Sequence, residues 1–549
     1  MNFSMIRRLL PLALVATALC PTPSVASTGP MVEAPAGTVE GRTVRGMRVF
    51  KGIPYAAPPV GPLRWAPPQP LARWQDVRDA TQFGPACMQP KRNAPSIYGW
   101  DLPAMSEDCL SLNIWAPEGA KNLPVFVWIH GGALTSGSGG DPLYDGSALA
   151  DRGMVVVSVN YRLGALGYFA YPALSAESPD GLSGNYGLLD QIAALEWVKR
   201  NIGAFGGDAG NVTIAGESAG ALSVMYLMAA PDARGLFHKA IAQSGYMVSA
   251  PALREKRNGM VSAEDQGTDL ATKLGAPDLK ALRAMTAEEI VNKAPANGYF
   301  PFPVIDGKIV PRQLVEIFDR NEQAPVPILA GFNAGEIRSL RFLLPKAPAD
   351  TAAYEAAIRA NYGEFADAFL ARYPARNIDE SMLAATRDAM YGWTSERLVS
   401  NQAALGQPAY LYLFDHGYPA TEQWKLHAFH AAELPFVFDT AGKTPPLWPK
   451  IPDKLAERRM IDAMGDYWAS FAGSGHPRAK NQPDWLPYSE DKAFMHFGAE
   501  PRVGHKLFAG TAALHEAVIC RRRAAGDIPW NWNVGVISPP LPPKVEGCQ

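Results

Sequence analysis

Gly216-Glu217-Ser218-Ala219-Gly220 is the only Gly-x-Ser-x-Gly in the chain. A serine attacks a carbonyl efficiently only when a base takes its proton and fixed donors meet the charge on the substrate oxygen. The motif follows the apolar Val212-Thr213-Ile214-Ala215 and opens a nearly apolar, helix-like stretch from Ser218 to Ala230. That context suits a nucleophile: a sharp strand-to-helix turn strains the serine backbone, and the flanking glycines avoid clash. The hydroxyl then stands at a helix N-terminus, whose dipole favours a developing oxyanion. A second stretch, His130-Gly131-Gly132-Ala133, follows another apolar run. Its small residues let main-chain N–H groups approach a substrate oxygen, so the candidate donors are Gly132, Ala133 and Ala219. His130 is read as structural.

Five apolar runs are available to position these loops. They are Pro124 to Ile129, Met154 to Asn160, Val212 to Ala215, Val326 to Ala330 and Ala409 to Phe414. Runs apolar on both faces suit strands buried in a parallel sheet between helix layers. Leu188 to Ile202 carries apolar residues at helical spacing. Residues 350–402 read as several helices without intervening strands, an insertion that would form a lid or the wall of a gorge. The fold class is therefore α/β, a large and mostly parallel sheet with helices on both faces.

Of the 549 residues, 47% are apolar and 19% charged, enough to bury a sizeable core. Fifty-one basic against 53 acidic residues leave a net charge of −2, which argues against nucleic acid as a partner. Arg7 and Arg8, the apolar Leu9 to Leu19 and the small residues Ser24-Val25-Ala26 form the three parts of a secretory signal. No stretch reaches the ~20 apolar residues of a membrane span, so residues 1–26 are read as a removable leader and the protein as secreted or periplasmic. Its removal leaves Cys87, Cys109, Cys520 and Cys548, which allow three pairings. The short loop from Cys87 to Cys109 is the natural first pair, worth ~3 kcal/mol if unstrained. Cys520 with Cys548 follows by elimination, with a free or intermolecular Cys548 as the alternative.

Longer motifs carry a family resemblance. Phe205-Gly206-Gly207-Asp208-Ala209-Gly210-Asn211-Val212 running into the serine motif, Ser106-Glu107-Asp108-Cys109-Leu110-Ser111-Leu112-Asn113-Ile114-Trp115, Phe50-Lys51-Gly52-Ile53-Pro54-Tyr55-Ala56 and Gly184-Asn185-Tyr186-Gly187 resemble the type-B carboxylesterases. These are the cholinesterase-like branch of the α/β hydrolases. The resemblance covers nearly all of the chain after the leader, so residues 27–549 are expected to form one α/β-hydrolase domain. It also implies a Cys87–Cys109 disulfide. Two departures stand out: Ser111 where an aromatic or Thr is usual, and Ala133 where a third glycine is common.

In this superfamily the triad runs Ser, then Asp or Glu, then His. Gly331-Phe332-Asn333-Ala334-Gly335-Glu336 follows the fourth apolar run and resembles the family's acid loop, with Glu336 as the acid. His430-Ala431-Ala432-Glu433-Leu434-Pro435-Phe436 resembles the segment of the base. His427-Ala428-Phe429-His430 mimics two metal ligands on one helical face, but no third-ligand motif accompanies it, and no cofactor or metal is expected. The resemblance puts Ser244 and Glu433 behind the base, with Glu217 beside the nucleophile. Trp100, Leu134, Tyr299, Phe300 and Phe302 are the candidate pocket residues.

The expected chemistry is hydrolysis of small to medium carboxylic esters, with water as the second substrate. Two other readings stand beside it: a catalytically dead, cholinesterase-like binding protein, and the same triad acting on amides, carbamates, thioesters or lactones. Exported bacterial relatives of this kind include esterases acting on aryl esters, on polyol toxin esters such as fumonisins and on plant-derived acids. The residues alone do not choose among these, and oligomeric state is not legible.

Overall fold

A computed structural model describes residues 29–91, 94–102, 104–530 and 534–548. The segment read as an export signal, residues 1–26, lies outside the described residues. Eleven strands form the central sheet. In chain order they are β1 (Arg42–Val44), β2 (Met47–Pro54), β3 (Ser111–Pro117), β4 (Leu123–Ile129), β5 (Val155–Val159), β6 (Gly207–Glu217), β7 (Lys239–Gln243), β8 (Ile328–Asn333), β9 (Ala409–Phe414), β10 (Ala493–Phe497) and β11 (Pro501–His505). Their spatial order is β11-β10-β9-β8-β7-β6-β4-β5-β3-β2-β1. Every pairing from β5 across to β10 is parallel, while the flanking pairs are antiparallel.

All five apolar runs are strands of the parallel part, and β4 shows why they lack alternation. Val125, Val127 and Ile129 join one core, while Phe126 and Trp128 join the other. Successive side chains of a strand point to opposite faces, so a sheet covered on both sides needs apolar residues at every position. The first core includes residues of helices α1 (Tyr186–Asn201), α2 (Ala219–Ala229) and α3 (Trp393–Ala404). The second includes Met460, Ile461, Met464, Trp468 and Phe471 of α4 (Leu455–Ser474).

Residues 350–402 are largely helical, and few of them line the central cavity. Tyr354, Ile358, Tyr362, Phe369 and Tyr373 build a separate small core with Leu514 and Val518 of the C-terminal helix Thr511–Ala525. Only the π-helical turn Asp388–Gly392 before α3 sends side chains, Met390 and Tyr391, to the central cavity. Both disulfides are formed, Cys87–Cys109 and Cys520–Cys548. The second ties the tail back to the C-terminal helix. Among the described residues no helix is long and apolar enough to cross a membrane.

Candidate active site

Ser218 occupies the one-residue link between β6 and α2, with φ 57° and ψ −121°. Its amide donates to Gln243 O at 2.9 Å, and Leu222 N donates back to Ser218 O at 2.9 Å. The flanking glycines are sterically required: a Cβ on Gly216 would lie 2.4 Å from the Gly220 carbonyl carbon, and one on Gly220 would lie 2.1 Å from Ile129 O. Ala219 is the first residue of α2, so its N–H has no intrahelical acceptor. Across from it, the loop after β4 runs through positive φ at Gly132 (104°), Ala133 (55°) and Leu134 (59°). Alanine in place of glycine at 133 therefore adopts a left-handed backbone, which costs a non-glycine residue roughly 1–2 kcal/mol. His130 is buried, its ring stacked on Tyr161 with centroids 4.5 Å apart. Burial lowers its pKa to about 4, which fits a neutral, structural side chain.

Glu336 stands in the turn after β8, and His430 in the loop that follows β9. His430 Nδ1 and Glu336 Oε2 are 2.5 Å apart. The other carboxylate oxygen of Glu336 accepts from Ser244 Oγ at 2.6 Å and from Asn333 N at 2.8 Å. Behind them Glu433 is also fully buried and doubly bonded, accepting from Gln243 Nε2 at 2.9 Å and Asn333 Nδ2 at 2.6 Å. The outer ring nitrogen, His430 Nε2, lies 3.1 Å from Oε1 of Glu217, the residue adjoining Ser218. The ring of Tyr391 covers the imidazole at 5.4 Å.

Burial opposes charge on His430, but Glu217, Glu336 and Glu433 outweigh it and raise the imidazole above its ordinary value. Burial likewise raises Glu217, with His430 pulling the other way. Glu433 is raised first by its burial, against the hydrogen bonds from Asn333 and Gln243. A histidine ringed by three buried carboxylates thus gains its positive charge more easily than one in water.

Ser218, His430, Glu217, Gly131, Gly132 and Ala133 all line one cavity of about 980 Å³. Trp100, Leu134, Phe300 and Phe302 line it too. Tyr299 does not belong to that lining: its hydroxyl donates to Tyr168 O at 2.7 Å and its ring packs beside Phe169. The adjacent Phe300 is instead 65% exposed at the cavity. His427, three residues before His430, is held outside the cavity by two carboxylates, with Nε2 2.8 Å from Asp415 and Nδ1 2.6 Å from Glu422.

Several participants were not legible as such. Gln243 directly precedes Ser244 and Asn333 lies in the loop singled out for Glu336, and their side-chain amides are what satisfy buried Glu433. Tyr391 sits in a helical stretch with nothing local to mark it, and only the π turn brings it over the imidazole. Tyr98, two residues before Trp100, had no motif to mark it; its hydroxyl lies 2.9 Å from His430 O.

A serine at a strand-to-helix turn, a buried histidine–glutamate pair and a doubly wound sheet define a class, the α/β hydrolases. Residues 28–514 match the model of the Carboxylesterase family, and the chain belongs to that family. It is 36% identical to the fumonisin B1 esterase of Sphingopyxis macrogoltabida, over 86% of this chain and 87% of that one. It is 37% identical to the para-nitrobenzyl esterase of Bacillus subtilis, over 83% and 92% of the two chains. Among solved structures, a PNB esterase superposes with TM-score 0.78 at 33% identity, covering 89% of this chain and 99% of that one. A carboxylesterase from Geobacillus stearothermophilus superposes with TM-score 0.70 at 34% identity, covering 88% and 99%. The protein is accordingly a carboxylic ester hydrolase of the serine type.

Proposed function

We propose that this enzyme hydrolyses carboxylic esters through a Ser218–His430–Glu336 triad and an acyl-enzyme intermediate. The observation that carries the reading is the buried His430–Glu336 pair, at 2.5 Å, with His430 lining the same cavity as the strained Ser218. In the first step His430 Nε2 takes the hydroxyl proton as Ser218 Oγ bonds to the ester carbonyl. For that, the imidazole turns its outer nitrogen from Glu217 toward the hydroxyl, an alignment that commonly tightens only when substrate binds. Glu336 fixes the tautomer and favours the imidazolium. The oxyanion meets the N–H groups of Gly132, Ala133 and Ala219, each good donor being worth ~10²–10³ in rate. The alcohol leaves with the proton from His430, and water then releases the acid by the same route, regenerating Ser218.

Glu217, Ser244 and Glu433 support this arrangement without reacting. Trp100, Leu134, Phe300 and Phe302 shape the pocket, whose volume lies at the upper end of the roughly 300–1,000 Å³ of small-molecule sites and admits medium-sized esters. The test is Ser218→Ala assayed on a nitrophenyl ester. The variant is expected to bind the ester and turn nothing over, and retained turnover contradicts the assignment.

A further inference from the structure

Tyr98 belongs to the loop closed by Cys87–Cys109, far in sequence from the base and the acid, yet it touches the supports of both. Its phenol oxygen lies 2.9 Å from His430 O and 2.7 Å from Ser339 Oγ. A carbonyl accepts only, so the phenol gives its one proton to His430 O and takes a hydrogen bond from Ser339 in return. Ser339 closes the 3₁₀ turn Glu336–Arg338 that carries the acid. The Tyr98 ring packs against Phe429 at 6.4 Å and edge-on against Trp448 at 6.0 Å. Other bonds hold the residues just before the base: Gly335 N donates to Ala428 O at 2.8 Å, and Asn333 Nδ2 to Phe429 O at 2.8 Å. Tyr98 holds the carbonyl of residue 430 itself.

We propose that Tyr98 is a positioning residue for the hydrolysis, a strut by which the disulfide-closed loop fixes the spacing between the His430 main chain and the turn of Glu336. This rests on the triad reading above. Nothing about the phenol is chemical: it touches neither reacting atom, and its effect passes through the alignment of the imidazole. Misplacing a reacting group by about 1 Å can cost ~10²-fold in rate, and a strut lost from an otherwise bonded loop moves it by less than that.

The test uses the full chain, a nitrophenyl ester and two single variants with their double. Tyr98→Phe keeps the ring and removes the hydroxyl. It is expected to lower kcat roughly tenfold with KM within about twofold, and to move the acid limb of the pH–rate profile down toward an ordinary histidine, because the Glu336 contact loosens. Ser339→Ala removes the acid-side half and is expected to cost roughly threefold. The double variant should match Tyr98→Phe alone, since both changes act through one hydroxyl and cannot add. Losses that multiply, or a lowered kcat with the pH midpoint unmoved, mark general packing damage and overturn the proposal. So does a Tyr98→Phe rate within about twofold of the parent. If Ser218→Ala is dead while Tyr98→Phe is unimpaired, only the strut falls. If Ser218→Ala still turns over, the triad falls first.

Discussion

His430 and His427 lie in one loop, and each is bonded to a carboxylate, yet the two sites are built for different ends. His430 is buried, has one nitrogen on Glu336 and the other 3.1 Å from Glu217, and lines the cavity that also holds Ser218. His427 is about one-third exposed and has both nitrogens spent, one on Asp415 and one on Glu422. Asp415 in turn is bonded by His496 at 2.9 Å. Both histidines are raised above the ordinary value: His427 first by its hydrogen bond to Asp415, His430 by carboxylates that overcome its burial. Perturbation alone therefore does not mark a base. What separates them is burial and placement: His430 is buried and lines the cavity that holds Ser218, and His427 does not line it.

The strongest way to break this contrast is to exchange the outcomes. His430→Gln is expected to lower kcat by more than ~10⁴-fold, as removal of a triad histidine does elsewhere. His427→Gln should leave kcat within a fewfold of the parent, since its ion pairs are partly exposed and worth under about 1 kcal/mol. Steady-state kinetics on a nitrophenyl ester checks both, and comparable losses in the two would erase the distinction. Next in size, Glu336→Gln keeps the shape of the acid but not its charge. A fall of ~10²–10⁴ in kcat with little change in KM is expected, by analogy with amide replacement of a triad acid. A parent-like kcat would reassign the acid.

The smallest effect is on pH. Turnover needs the neutral imidazole, and the carboxylates around His430 raise its pKa, so the rate should climb with pH through a midpoint above ~6.5, the ordinary histidine value. Below that midpoint the rate falls about tenfold per unit. Removing Glu217 as a charge, in Glu217→Gln, should move the midpoint down. A midpoint that stays fixed in this variant, or one below ~6 in the parent, contradicts the electrostatic picture.

Much of the framework was legible because parallel strands buried on both faces leave continuous apolar runs, as at β4, β5 and β9. The strand β7 was not, because Lys-Ala-Ile-Ala-Gln places a cation at one end, an amide at the other and two small residues between. The amide at its end, Gln243, is needed for Glu433 and for Trp468, whose indole donates to it at 2.9 Å. Burying that polar residue works only with partners that lie 190 and 225 positions away, and no local pattern records them. The candidate site divides in the same way. Ser218 is legible because the motif that marks it lies within five residues. His430 and Glu336 were reached through resemblance of their segments, since nothing local dictates that residues 94 positions apart will pair. Of the adjacent candidates Tyr299 and Phe300, both aromatic, only Phe300 lines the cavity, while Tyr299 bonds Tyr168.

The claim on which the rest stands is that Ser218 becomes covalently acylated with His430 as its base. Incubating the parent, His427→Gln and His430→Gln with a nitrophenyl phosphonate, followed by peptide mass mapping, tests it directly. The account predicts one phosphonyl group on the peptide bearing Ser218, formed at similar rates in the parent and His427→Gln and at least ~10³-fold more slowly in His430→Gln. A label on any other residue, or rapid labelling of Ser218 without His430, would contradict it.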